Sequence, residues 1–101
     1  MPGLRAPRRP VVNLRARVAV FEALKASAPS GFNQELRHLF LNEGADFELA
    51  DLDMDSLAIM EFCIAIELST GVTLLPPQVA ELGSTGAIER RIREALDEAA
   101  G

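Results

Sequence analysis

Asp51-Leu-Asp-Met-Asp-Ser-Leu-Ala-Ile-Met-Glu-Phe-Cys-Ile-Ala-Ile-Glu-Leu68 decides the fold of this chain. Three acids alternate at Asp51, Asp53 and Asp55, Ser56 follows, and then an almost unbroken apolar run. Asp55 or Ser56 can cap a helix start, because side-chain oxygens there accept bonds from backbone N–H groups that have no partner in the helix. No Gly or Pro intervenes before Gly71, so the run predicts a helix of roughly four turns. Ile59, Phe62, Cys63 and Ile66 recur at i, i+3, i+4 and i+7 and mark one buried stripe. Leu57, Met60, Glu61, Ile64 and Leu68 mark a second stripe on another face. A helix with two such stripes either sits deep in a core or presents one of them to a partner.

Working outward, the chain punctuates itself into helices. Residues 1–12 read as a disordered basic tail, with three prolines and a glycine in the first ten positions. Asn13 is a candidate cap for a helix over 14–26, with Leu14, Val18, Phe21 and Leu24–Lys25 inward and Val20 widening the stripe. Arg15, Arg17 and Glu22 are expected outside. Pro29 and Gly31 end that helix. Asn33 caps a shorter one over 34–41, with Leu36, Leu39 and Phe40 inward and Gly44 closing it. Residues 45–54 read as an extended loop anchored by Phe47, Leu49 and Leu52. After Gly71, Pro76-Pro77 opens a short helix to about Leu82, with Val79 and Leu82 inward. Ser84 caps a last helix over 85–99 with the stripe Ile88, Ile92, Leu96, and Gly86 in its first turn costs about 1 kcal/mol against Ala and predicts fraying.

Composition narrows the classes. The 101 residues suffice for one domain, and the 49% hydrophobic content for a small core. Five Phe, with no Trp or Tyr, make that core largely aliphatic, which favours helical packing over a β-sandwich. The net charge of −5 is lopsided: residues 1–30 carry +5 and the remainder −10. The acidic part argues against nucleic acid as the main ligand and suits basic partner surfaces, although acids also simply keep a small helical domain in solution. The single cysteine, Cys63, lies on the buried stripe and reads as an inert core thiol, in keeping with a reducing cytoplasm. No apolar run has the length of a membrane span, and the N-terminal ten residues have no signal-peptide core.

Two chemistries are weakly written. The alternating acids before Ser56 resemble calcium-loop spacing, yet a central Gly and a distal Glu are missing from their places. Ser56 with His38 would make a hydrolase pair, but a lone histidine is more often a surface or packing residue, and no histidine or lysine lies within seventeen residues of Ser56 in sequence. Ser56 is better presented as a hydroxyl that another enzyme modifies.

Asp51-Leu52-Asp53-Met54-Asp55-Ser56-Leu57 resembles the Asp-Leu-Gly-x-Asp-Ser-Leu signature of acyl carrier proteins. The likeness continues through Glu61 and Glu67, the apolar Leu57, Met60 and Ile64, and the Ser84-Thr85…Ile88…Ile92 pattern, and spans 47–96, about half the chain. The resemblance implies an all-α, acyl-carrier-like four-helix bundle over residues 13–99, with segment 34–41 as an extra short helix in the first long loop. It implies a 4′-phosphopantetheine arm on Ser56, installed from coenzyme A by a phosphopantetheinyl transferase with Mg²⁺, and acyl groups held on that arm as thioesters. It implies Asp55, Leu57, Met60, Glu61, Ile64 and Glu67 as partner contacts for the transferase and for acyl-loading and acyl-processing enzymes. The chain would be a monomeric carrier, not a catalyst, in the cytoplasm. Asp53 stands where the family has Gly, Ala58 and Leu68 where acids are common, and Thr70 where an aromatic is common. The less acidic helix keeps an aminoacyl or peptidyl carrier open, and an unmodified helical adaptor docking through Leu57, Met60 and Ile64 is the reading from another class.

Overall fold

The computed structural model describes residues 10–100, with side chains described over 14–99. It is all-helical there: α1 (Pro10–Ser27), α2 (Gln34–Glu43), α3 (Ser56–Thr70), α4 (Pro76–Leu82) and α5 (Thr85–Ala100), with a 3-10 turn at Leu49–Leu52. The only β pairing among the described residues is an isolated bridge between Glu48 and Ser84. The arrangement is a small helical bundle in which α1 packs along α3 and α5, and α4 closes against α3.

The first helix corrects the sequence reading at its start, on its inward face and at Arg17. It starts at Pro10, which suits a first helical position because proline's missing N–H has no partner to lose there. Asn13 therefore lies inside α1 and is not its cap, and the supposed tail loses residues 10–12 to the helix; positions 1–9 lie outside the described residues. The inward face is also rotated. Ala16, Ala19, Val20, Ala23, Leu24 and Ser27 are buried, whereas Leu14 and Val18 are exposed and Phe21 is half-buried. Those six positions follow an i, i+3, i+4 rhythm, and their small side chains let neighbouring helices approach closely; a reading weighted by large apolar residues passes over alanines.

Arg17, expected outside, is the other correction on α1. Its guanidinium meets the buried Glu89 carboxylate at 2.7 Å, donates to the Phe40 carbonyl and lies 4.0 Å from the centre of the Phe40 ring. Arg93 adds a second, longer contact to Glu89 at 3.7 Å. Burial pushes the Glu89 carboxyl above its ordinary value, outweighing the opposing pull of Arg17 and Arg93.

The second helix is part of the core. Asn33 caps it by accepting from the Leu36 N–H, and Gly44 closes it in the left-handed conformation, as the sequence indicates. Phe32 and Phe40 are fully buried and, with Phe21, form a three-ring cluster with centroids 5.6 to 6.0 Å apart. Just ahead of α2, Gly31 sits so close to the chain at Leu52 that an added Cβ would fall 1.9 Å from the Leu52 carbonyl oxygen. That contact ties the α1–α2 connection to the 3-10 turn, whose Leu49 and Leu52 are buried as the expected anchors.

The start of α5 is capped despite Gly86. Asp46 Oδ1 accepts from the Gly86 N–H at 2.7 Å and from the Thr85 hydroxyl at 3.1 Å, while Ser84 Oγ accepts from the Ala87 N–H at 3.2 Å. The same junction is closed by Thr85 N–H to Phe47 carbonyl and Leu49 N–H to Gly83 carbonyl bonds. A Cβ at position 86 would lie 2.6 Å from the Asp46 carboxylate, so glycine makes room for the group that caps this helix. The stripe Ile88, Ile92 and Leu96 is buried as expected.

Candidate functional site

The turn that delivers Ser56 begins at Asp53. Its φ of 58° places it in the left-handed region, making it the one non-glycine residue with positive φ among those described. An aspartate is one of the few side chains that tolerates this conformation, so the turn forms without the glycine of the signature this stretch resembles. Two residues on, Asp55 is the N-cap of α3: its Oδ1 accepts from the Ala58 N–H at 2.8 Å, and its carbonyl accepts from the Ile59 N–H. Of the two candidate caps, Asp55 takes the role. Ser56 becomes the first helical residue, exposed, with a hydroxyl that bonds no described residue. Asp51, Asp53 and Asp55 are exposed around it.

The helix that follows divides its two apolar stripes cleanly. Ala58, Phe62, Cys63, Ile66 and Thr70 are buried and Ile59 is half-buried. The thiol of Cys63 is pushed up by burial, which suits a core side chain more than a reactive one. The second stripe faces out: Leu57 is 62% exposed, Met60 49%, Ile64 52% and Leu68 82%. Glu61 and Glu67 are exposed on the same helix. The structure thus brings Asp55, Ser56, Leu57, Met60, Glu61, Ile64 and Glu67 onto one accessible element. Ala58, at a position where the signature that this stretch resembles often has an acid, is buried against the bundle.

His38 is not recruited to this site. It is exposed on α2, and its Nδ1 pairs with the Asn42 side-chain amide at 2.9 Å. No group of three His, Cys, Asp or Glu side chains able to hold a metal occurs among the described residues. No described helix is long and apolar enough to cross a membrane.

Two clefts flank the helix start. One, of about 360 Å³, lies between the α1–α2 connection and the Asp53–Ala58 turn, and Ser30, Asp53 and Asp55 give it a partly polar lining. The other, of about 340 Å³, lies on the α4 side and is lined mainly by Leu49, Met54, Ile59 and Ala80, together with Glu48. The first was not legible from the sequence, since it depends on the contact of Gly31 with Leu52. Comparison with protein-family models, with curated proteins and with solved structures returns no match.

Proposed function

We propose that this chain is a carrier protein that holds acyl intermediates as thioesters on a 4′-phosphopantetheine arm at Ser56 and delivers them to partner enzymes. The observation that carries the reading is the exposed, unbonded Ser56 hydroxyl at the first position of α3, with its neighbour Asp55 already serving as the cap. A serine used only to cap would not leave its oxygen free. In the loading step, a phosphopantetheinyl transferase would use coenzyme A and Mg²⁺. The Ser56 oxygen forms the new P–O bond, the pyrophosphate P–O bond of coenzyme A breaks, adenosine bisphosphate leaves, and the serine proton passes to the transferase. The carrier contributes presentation and no catalysis. Tethering then raises the effective concentration of the cargo at each partner's active site.

The partner surface follows from α3. One carboxylate oxygen of Asp55 is engaged by the helix, which leaves the other for a cationic group on the transferase. Leu57, Met60 and Ile64 offer apolar contact beside the attachment point, and Glu61 and Glu67 steer basic surfaces in a salt-sensitive way. The acidic charge and core thiol suit a cytoplasmic setting. The nearly bare Leu68 favours a second reading, an aminoacyl or peptidyl carrier whose partners present a more apolar face than fatty-acid enzymes would.

Intact-mass measurement after incubation with coenzyme A and a broad-specificity transferase tests the proposal. A gain of about 340 Da that disappears in Ser56→Ala supports the carrier, since the arm is added as one covalent group. An unchanged mass, with a control carrier loaded in the same tube, leaves an unmodified adaptor that docks through the outer stripe of α3.

A further inference from the structure

Besides the attachment point itself, the region around Ser56 contains a cleft that the carrier reading leaves unused. It is formed where the α1–α2 connection lies against the turn ahead of α3, and both Asp55 and Ala58, on either side of Ser56 in the chain, line it. A group bonded to Ser56 is therefore one residue from its mouth, roughly 4 Å along the chain.

The wall of this cleft is held in place from behind. Arg37 Nε donates to the Phe32 carbonyl at 2.6 Å and its Nη2 to the Pro29 carbonyl at 3.3 Å, while Gly31 is pressed onto Leu52. A wall that is already ordered loses little entropy when something settles against it. Its polar groups are open. The Ser27 hydroxyl is committed to the Ala23 carbonyl, but the Ser30 hydroxyl and the Asp53 carboxylate bond no described residue, and Asp55 has one oxygen to spare. This is an acceptor-rich set with one hydroxyl. It suits an uncharged ligand that carries N–H and O–H donors along a narrow chain, and it disfavours an anion.

Resting on the carrier reading, we infer that the cleft between the α1–α2 connection and the start of α3 holds the amide-bearing half of the Ser56 arm, with the phosphate left outside in solvent. The arm's hydroxyl and amide N–H groups donate to Asp53, to the free oxygen of Asp55 and to Ser30, and the thiol end emerges beyond Ser30. The arm is parked along this wall between deliveries. The cleft on the α4 side offers mainly Leu49, Met54 and Ile59, with Glu48 as its one charged side chain, and so presents fewer side-chain acceptors to the arm.

Amide chemical shifts of the uniformly ¹⁵N-labelled full chain, before and after loading with unacylated arm, provide the test. Loading is verified first by mass, so failure to load overturns the carrier reading and is distinct from failure of this inference. In the loaded protein, shifts are expected at Ala28, Ser30, Gly31, Leu52 and Asp53 as well as next to Ser56. Ser30→Trp, a change at an exposed position that fills the cleft, should leave the mass gain intact and abolish the shifts at 28, 31 and 52 on loading. Shifts confined to 55–58, or moved to Met54, Ile59 and Ala80, would overturn the inference while leaving the attachment itself untouched.

Discussion

The two long faces of α3 are almost equally apolar in sequence and opposite in fate. Phe62, Cys63 and Ile66 are packed against α1 and the bundle interior, while Leu57, Met60, Ile64 and Leu68 stand in solvent. Local pattern does not separate them, because each gives a helical stripe of its own. What separates them is the partner: α1 offers a strip of alanines that fits one stripe closely, and no described element covers the other. Burial alone would be served by polar residues outside, so four large apolar side chains beside an exposed Ser56 mark a surface with a use. The inner face maintains the bundle, and the proposed carrier role gives the outer face to partners.

Substitutions should separate the two roles, and the largest effect belongs inside. Phe62→Ala empties a fully buried site and should cost about 3–5 kcal/mol, seen as a fall in the urea midpoint with an unchanged slope. Gly31→Ala forces a Cβ onto the Leu52 carbonyl and should cost about 2–3 kcal/mol. Unlike Phe62→Ala, it should also slow loading at Ser56, because the displaced 3-10 turn precedes the Asp53 turn; equal loading rates at matched folded fractions would detach that turn from the site.

A third prediction uses pH. Glu89 has a folded pKa above its ordinary value of 4.5, so the native state holds this proton more tightly than the unfolded chain. The contribution of Glu89 to stability is therefore greatest below that value, falls as pH rises from it to the folded pKa, and is level above. Relative to Glu89→Gln, the wild-type urea midpoint should decline across that window; a wild-type curve that instead climbs relative to the variant would mean that Arg17 outweighs burial. The smallest effect is expected on the outer face. Leu68→Ser should change stability by less than about 0.5 kcal/mol and yet weaken binding to a partner enzyme. A large stability loss there would assign the outer stripe to the fold and erase the contrast between the faces.

Much of this was written locally. The helix over 56–70, the Asn33 and Ser84 caps, the Pro76 start and the Gly44 and Gly71 stops depend on neighbours within a few residues, and they are where the sequence puts them. Asp53 was readable for the same reason, since its tolerance of a left-handed turn is a property of its own side chain. What escaped depends on distant partners. Arg17 reads as a surface charge until α5 brings Glu89 to it, seventy-two positions away. Gly86 reads as a weak start until Asp46 arrives to cap it. Gly31 reads as a helix stop, and its second role, as the point where two backbones touch, requires knowing that Leu52 lies opposite. Likewise the alanines of α1 carry no strong signal until their neighbours need close approach. At the candidate site, Ser56 and its flanking residues could be picked out from the sequence, whereas the cleft beside them could not.

The most direct test of the central claim is where the arm goes. The chain contains four other serines, Ser27, Ser30, Ser69 and Ser84. After incubation with coenzyme A and a broad-specificity transferase, the protein should be digested and the adduct located by tandem mass spectrometry. The account predicts a single modified peptide, with the phosphopantetheine on Ser56 and every other serine bare. An adduct on a different serine, or none while a control carrier is fully loaded, would contradict it.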